Sequence, residues 1–149
     1  MMQPIEVQVT LDCADPHELA AWWAETLGWE LEPTDEGFIR QMIEAGQATE
    51  ADTRQWRGEL WWESGAALRL PDAGDEVGCR RMLCQKVPEG KTVKNRMHLD
   101  LRVEAAGGDL DAARDALLAR GAAFLYEASQ GPFRWYTMTD PEGNEFCLG

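Results

Sequence analysis

The chain of 149 residues lacks several features that would assign it to a particular class of protein. It has no apolar run near the roughly 18 to 20 residues that span a bilayer, so no membrane crossing is expected. Its first residues, MMQPIEVQVT, do not place a basic segment before an apolar one, which predicts no secretory signal. Its four cysteines show neither a CxxC pair nor zinc-ribbon spacing. Reduced thiols in a cytoplasmic protein are therefore the expectation.

Basic residues are scarce, with 14 Lys and Arg against 27 Asp and Glu, and the formal net charge is −13. Electrostatic repulsion then argues against nucleic acid or an anionic membrane surface as a partner. Half of the basic residues nevertheless form one basic cluster: Arg80, Arg81, Lys86, Lys91, Lys94, Arg96 and Arg102. The cluster indicates either a local positive field that attracts a small anionic ligand or a solvated loop and strand edge.

The chain opens with the pattern of a strand followed by an amphipathic helix. Residues 5–11 alternate strictly, which predicts a strand with one buried face. That face would carry Ile5, Val7, Val9 and Leu11. Asp15 and Glu18 form a capping-box pattern, Pro16 suits the first helical position, and Gly28 ends the helix. His17, early in this helix, is expected to be exposed.

The same pattern returns later in the chain. Residues 97–103 alternate, a helix opens near Asp109 and closes at Gly121, and AAFLYEA begins another strand. This repetition predicts two related units. Residues 81–87 form a further short strand, and RWYTMTDPEGNEFCLG has the pattern of a strand, a tight turn and a terminal strand.

The middle of the chain is less regular. Residues 36–46 have helical spacing, and Thr49 with Asp52 form a weaker capping pattern. ELWWESGAALRLP predicts a hairpin that turns at Ser64–Gly65. We therefore expect a helical insertion in the first half at about residues 37–58. It would serve either as a lid over a binding cleft or as an oligomer interface, and both alternatives stay open.

Four segments, VTLDCADPHELAAWWAETLGWE, VPEGKTVKNRMHLDL, LLARGA and DPEGNEFCL, resemble the vicinal oxygen chelate superfamily. This superfamily includes glyoxalase I, bleomycin-resistance proteins and extradiol dioxygenases, and the chain is most similar to its actinobacterial glyoxalase-like branch. The resemblance implies an α+β fold of paired βαβββ modules, with a curled, cup-shaped mixed sheet and helices outside. Residues 1–149 would form one glyoxalase-like domain, with modules at 1–90 and 91–149, and would assemble as a homodimer.

In metal-binding members of that superfamily, four strands supply His, Glu or Gln, His and Glu. The resemblance places these four positions at Gln8, Gln85, His98 and Cys147. Only His98 is of the usual ligand type, and the four together supply at most one negative charge. Hard divalent ions prefer carboxylate and imidazole ligands, so no metal cofactor is expected. A divalent metal remains the alternative, as a zinc site formed by His98, Cys147 and Glu145.

Polar side chains lie on strand faces opposite an apolar series, which indicates either a ligand-binding interior or a solvated face. His98 and Asp100, with Glu145, are candidate catalytic residues, because neighbouring carboxylates can tune an imidazole for acid–base chemistry. Tryptophan can also wall a small-molecule pocket, although core packing is the alternative for each one. The candidate ligand-binding residues are Gln8, Thr10, Gln85, His98, Arg102, Cys147, Trp61 and Trp135.

Three functions remain open on these grounds. The first is metal-independent binding of a small molecule, of the bleomycin-resistance type. The second is a glyoxalase-like lyase or isomerase that uses His98 with a carboxylate, with or without a metal. The third is a protein-interaction module with an acidic surface and a tryptophan-rich insertion. The sequence does not name the ligand, because one fold hosts many chemistries.

Overall fold

The computed structural model describes residues 2–71 and 79–149, and the chain divides into compact units at 1–90 and 91–149. The first unit begins with strand β1 (Val7–Cys13) and helix α1 (Pro16–Leu27). The Asp15 carboxylate accepts a hydrogen bond from the Glu18 backbone N–H, and Gly28 ends the helix in the left-handed conformation. The predicted ends of α1 are confirmed, since local capping determines both.

In the part of the chain that the structure describes, the first unit continues with two short helices and five strands, and its strands form two sheets. These helices and strands are β2 (Glu30–Leu31), α2 (Glu36–Glu44), a 3-10 helix (Glu50–Asp52), β3 (Thr53–Trp56), β4 (Glu59–Trp62), β5 (Gly65–Arg69) and β6 (Cys79–Lys86). The main sheet has the order β1-β6-β5-β2, with β1 parallel to β6 and the other pairs antiparallel. Strands β3 and β4 pair only with each other within the described residues.

The second unit repeats this arrangement in a shorter form. It contains β7 (Leu99–Leu101), a 3-10 helix (Glu104–Ala106), α3 (Leu110–Ala119), β8 (Ala123–Gln130), β9 (Phe133–Thr139) and β10 (Glu145–Leu148). Its sheet has the order β7-β10-β9-β8, with β7 parallel to β10. Each unit is thus a βαβββ module with the same strand order. The predicted α+β class, with paired modules and mixed sheets, is confirmed.

Each sheet buries one face. In the first unit α1 packs against β5 and β6, where Leu68, Met82 and Cys84 are buried. In the second unit the core face of β9 and β10 carries the buried residues Tyr136, Met138, Phe146 and Leu148, and Thr137 on the opposite face is buried as well. Because side chains alternate along a strand, the residues between them lie on the opposite face. None of the helices in the described ranges has the length and apolar content that a membrane crossing needs.

Two apolar residues of the strand predicted at residues 5–11 are exposed rather than buried. Ile5 is 69% and Val7 is 58% accessible, whereas Val9 and Leu11 are half-buried. The pairing of β1 with β6 shifts register between Val7 and Val9, so the regular ladder begins only at Val9. Met97, at the start of the alternating run predicted at residues 97–103, is exposed and lies before the short strand β7.

The predicted hairpin at Ser64–Gly65 is wrong. Strand β4 pairs with β3, and β5 pairs with β6 and β2. The hairpin turn lies at Arg57 and Gly58, whose φ angles are 51° and 80°. Positive φ at both central residues is the requirement of a type I′ turn, which matches the twist of paired strands. Ser64 therefore joins the small hairpin to the main sheet.

His17 is fully buried, and its predicted exposure is wrong. Its Nε2 lies 3.0 Å from the Trp62 carbonyl oxygen, and its Nδ1 lies 3.1 Å from Nη1 of Arg54. The carbonyl can only accept and the guanidinium can only donate, so the imidazole is neutral with its proton on Nε2. The rings of Trp56 and Trp61 flank it. The β3–β4 hairpin therefore covers the start of α1, a contact that helix periodicity alone cannot predict.

Candidate functional site

The face of the second sheet opposite its buried residues lines a pocket of about 540 Å³. All of the described residues that line it belong to the second unit. Its aromatic wall is formed by Tyr126, Phe133 and Trp135. Its polar residues include Lys94, His98, Asp100, Arg102, Thr137 and Cys147. A largely apolar wall with a few convergent polar groups is the usual composition of a small-molecule site.

The strand register explains why three of these polar residues meet. Cys147 on β10 lies opposite Asp100 on β7 and opposite Thr137 on β9. Directly paired residues point to the same face, so the three side chains form a row across three strands. His98 precedes Asp100 by two positions and joins the end of this row.

Close contacts hold the row together. Nδ1 of His98 lies 3.0 Å from Oδ1 of Asp100, and the Cys147 Sγ lies 3.7 Å from the Thr137 hydroxyl. Burial is the largest effect and raises the pKa of the Cys147 thiol, while the Thr137 hydroxyl and Lys94 lower it and the Asp100 carboxylate raises it. Cys147 is therefore a protonated thiol at neutral pH. It is a hydrogen-bonding residue rather than a ready nucleophile.

One nitrogen, one oxygen and one sulfur donor, from His98, Asp100 and Cys147, lie within 4.8 Å of one another. This set suits a borderline-soft ion such as Zn²⁺, which accepts imidazole, carboxylate and thiolate ligands and leaves one position open. It suits Mn²⁺ or Mg²⁺ poorly, because these hard ions prefer oxygen ligands. The zinc cluster predicted from the sequence contained Glu145, whereas the structure places Asp100 there.

Glu145 lines the pocket but is already engaged. Its carboxylate accepts hydrogen bonds from Nζ of Lys91 and from the backbone N–H of Asn95, each at 3.0 Å. The Asn95 side chain in turn donates to Asn144 at 3.0 Å. Burial acts to raise the pKa of Glu145, but these donors together lower it. Glu145 is thus a charged anchor for the segment at 91–95, which weakens its candidacy as a catalytic base.

Three predicted ligand-binding residues, Gln8, Thr10 and Gln85, lie on one face of the first unit's sheet. The Gln8 Oε1 accepts a hydrogen bond from Nη1 of Arg81 at 2.8 Å. Arg81 also forms a two-point ion pair with Glu32, at 2.8 and 2.9 Å. This pair lowers the pKa of Glu32. The Gln8 amide is therefore part of an internal network of the first unit.

Two predicted ligand-binding tryptophans have different environments. Trp61 is 6% accessible and packs on Trp56 and His17, with ring centroids at 5.3 and 5.5 Å. It is a core residue of the first unit. Trp135 is half-buried and lines the second unit's pocket. Phe133 and Thr137 also line it, and the alternation of β9 around Trp135 was the signal that could have identified them.

Comparison with known proteins identifies the family. The glyoxalase-like domain family matches residues 8–149 of the chain. The chain belongs to the glyoxalase-like domain family. The resemblance to the vicinal oxygen chelate superfamily is thereby confirmed. No curated protein sequence matches the chain.

Solved structures of the same fold come from several bacteria. A variant of the fosfomycin resistance protein FosX from Listeria monocytogenes, complexed with Mn(II) and 1S,2S-dihydroxypropylphosphonic acid, has a TM-score of 0.62 and 13% identity, covering 99% of this chain and 92% of that chain. The bleomycin-binding protein of Streptomyces verticillus, complexed with copper(II)-bleomycin, has a TM-score of 0.52 and 17% identity, covering 99% and 96%. A glyoxalase family protein from Bacillus cereus has a TM-score of 0.58 and 14% identity, covering 99% and 94%. At these identities the likeness shows the fold alone.

Proposed function

We propose that the protein binds a small molecule in the pocket of the second unit and needs no metal ion to do so. One observation carries the proposal: the half-buried Trp135 shares a pocket with the polar row Asp100–Cys147–Thr137. An aromatic wall supplies apolar contact area, and the polar row can fix the orientation of a ligand. Structures of the same fold hold bleomycin and a phosphonic acid, which supports a small molecule as the ligand.

Metal independence rests on the donor set. Of the four positions that the family resemblance implies, only His98 is an imidazole, and Cys147 stands where a carboxylate would close the set. The remaining two positions, Gln8 and Gln85, are neutral amides in the first unit. Such donors hold a hard divalent ion weakly. The cluster at His98, Asp100 and Cys147 makes zinc the ion to test.

A second candidate function is that of a glyoxalase-like lyase or isomerase. The contact between Nδ1 of His98 and Asp100 at 3.0 Å favours it. A carboxylate on one ring nitrogen fixes the tautomer and leaves Nε2 for proton transfer to a ligand. A protein-interaction module has weaker support, because Trp56 of the insertion is buried inside the first unit, as is the neighbouring Trp61. We further expect a homodimer, on the family resemblance, and a cytoplasmic location, on the lack of a predicted secretory signal.

The binding proposal is tested with a panel of aromatic and carbonyl-bearing metabolites, read by thermal shift and tryptophan fluorescence. Compounds that raise the melting temperature of the wild type should not raise that of Trp135→Ala. They should raise that of Trp29→Phe as much as that of the wild type, because Trp29 is a half-buried tryptophan of the first unit and serves as the matched control. The same compounds should bind chelator-treated protein equally well. Hits that are indifferent to Trp135→Ala contradict the proposed pocket. Hits that require zinc contradict metal independence.

The enzyme alternative needs a separate readout. Each confirmed ligand is incubated with the wild type and with His98→Gln, and the products are followed by mass spectrometry. Conversion by the wild type that is lost in His98→Gln, with binding retained, would favour the lyase or isomerase. Binding without conversion would favour the binding protein.

A further inference from the structure

The basic cluster of the sequence separates into two groups in the structure. Four of its members form ion pairs with carboxylates: Arg80 with Glu6, Arg81 with Glu32, Lys86 with Glu63, and Lys91 with Glu145. Lys94, Arg96 and Arg102 have no carboxylate partner within residues 2–71 and 79–149. In a chain of net charge −13, acidic partners outnumber basic groups, so unpaired cations are unexpected.

Two of these three unpaired cations, Lys94 and Arg102, line the pocket. Arg102 follows Asp100 by two positions, directly after the end of β7, and lines the pocket together with the aromatic wall. Its guanidinium carries five N–H donors and forms no hydrogen bond to a side chain or backbone in the described part of the chain. Nζ of Lys94 donates to the Asn95 carbonyl oxygen at 3.0 Å, which leaves two further donors.

The acidic groups of the pocket are mostly engaged elsewhere. Glu145 accepts from Lys91 and Asn95, and Asp100 faces His98. Glu104 is then the one lining side-chain carboxylate with no ion pair or side-chain hydrogen bond among the described residues. A ligand in this pocket therefore meets the unpaired cations Lys94 and Arg102, the carboxylates of Glu104 and of the His98-bonded Asp100, and an aromatic wall.

We infer that the ligand is an organic anion with a flat apolar body. The inference rests on the proposed binding function and specifies its ligand class. A carboxylate or phosphate monoester head group would pair with Arg102, whose planar fork matches two oxygens at once, and Lys94 would add a second positive charge. The body would lie against Trp135 and Phe133, where aromatic contacts favour a planar partner.

Two fluorescent dyes that share one aromatic body separate charge from shape. 8-Anilinonaphthalene-1-sulfonate is an anion, and N-phenyl-1-naphthylamine is its neutral counterpart. We expect the anionic dye to bind the wild type at least about tenfold more tightly, as one charge-assisted contact implies. Its affinity should fall as salt is added, while that of the neutral dye stays constant.

Variants of the unpaired cations provide matched controls. Arg102→Gln should weaken the anionic dye about tenfold and leave the neutral dye unchanged, and Arg102→Lys should restore part of the loss. Lys94→Gln should have a smaller effect of the same sign. Arg96→Gln removes an equally unpaired cation that does not line the pocket, so neither dye should respond. Displacement of the anionic dye by 2-naphthoate or 2-naphthyl phosphate, but not by 2-naphthamide, would identify the head group.

The outcomes distinguish this inference from the function on which it rests. If both dyes bind equally and Arg102→Gln changes neither affinity, the preference for an anionic ligand is wrong, while the proposed pocket is unaffected. If both dyes still bind Trp135→Ala with unchanged affinity, both the proposed binding pocket and the preference for an anionic ligand in it are wrong. An equal loss in Arg96→Gln and Arg102→Gln would show only general charge attraction, and would overturn the specific role of Arg102.

Discussion

The two units share one strand order but use the sheet face opposite their helix differently. In the first unit, Gln8 on that face accepts a hydrogen bond from Arg81, which is paired with Glu32. In the second unit, Arg102 has no acidic partner among the described residues, and the face lines a pocket. The same topology therefore supports either an internal network or an open site. Function depends on whether the polar side chains are satisfied within the protein.

The tryptophans repeat this contrast. Trp61 of the first unit is enclosed by Trp56 and His17, and its Nε1 is the one buried side-chain nitrogen or oxygen without a partner in the described ranges. Trp135 of the second unit stands on the pocket wall. Residues of one type are thus core in one unit and candidate ligand contacts in the other.

The largest expected difference in the free energy of unfolding is between substitutions of these two tryptophans. Trp61→Ala should lower the free energy of unfolding by about 3–5 kcal/mol, because it leaves a cavity in a packed core. Trp135→Ala should lower it by about 1 kcal/mol or less, since its side chain is only half-buried. Urea unfolding followed by circular dichroism measures both. A loss in Trp135→Ala as large as that in Trp61→Ala would contradict the contrast.

The buried imidazole of the first unit should make stability depend on pH. Burial and the Arg54 guanidinium lower the pKa of His17, so the folded state resists a proton that the unfolded chain accepts. The contribution is complete above the unfolded pKa of about 6.5 and is lost as the pH falls below it. Urea unfolding of the wild type should therefore give a lower free energy at pH 5.5 than at pH 7.5.

His17→Phe is the variant that assigns this pH dependence. The substitution removes the titrating group, so the free energy of unfolding of the variant should fall less between pH 7.5 and 5.5 than that of the wild type. Carboxylates with lowered pKa values, such as Asp15 and Glu32, lose their contribution only at more acidic pH. Parallel profiles for the variant and the wild type would count against a neutral, buried His17.

The next prediction concerns Glu145, a carboxylate of the second unit whose hydrogen bonds are made within the protein. Glu145→Gln should lower the free energy of unfolding by about 1 kcal/mol, because it weakens the hydrogen bonds to Lys91 and to the Asn95 backbone. The Asn95 amide should also exchange faster with deuterium. A loss of ligand conversion with unchanged exchange at Asn95 would instead support a catalytic Glu145.

The smallest expected changes in the free energy of unfolding are those of two arginine substitutions, one in each unit. Arg81→Gln should cost about 0.5–1 kcal/mol, since its pair with Glu32 is partly exposed and screened by solvent. Arg102→Gln should change the free energy of unfolding by less than about 0.5 kcal/mol, as it removes no intramolecular contact among the described residues. A larger loss for Arg102→Gln would indicate that Arg102 has a structural role.

Local signals in the sequence predicted much of the fold. Caps at Asp15 and Asp109 mark both main helices, and alternation marks β9 and β10. Contacts between distant segments could not be predicted in this way. The burial of His17 depends on a hairpin about 40 positions away in the sequence, at Arg54. Chain order also favoured a turn at Ser64, whereas β4 pairs backward with β3.

The site shows the same limit. Strand parity placed His98, Asp100 and Cys147 on faces opposite apolar residues, which the register of β7 and β10 explains. Parity does not show which charges are paired. The engagement of Glu145 by Lys91 spans 54 positions, and it follows from tertiary structure alone. For the same reason the sequence could not distinguish Arg102 from the paired members of its basic cluster.

Hydrogen–deuterium exchange with and without saturating 8-anilinonaphthalene-1-sulfonate tests the central claim most directly, because it locates the bound molecule on the chain. Slower exchange is expected in peptides that cover residues 94–102 and 133–149, with no change over residues 36–62. Protection confined to residues 36–62 would contradict a binding site on the second unit.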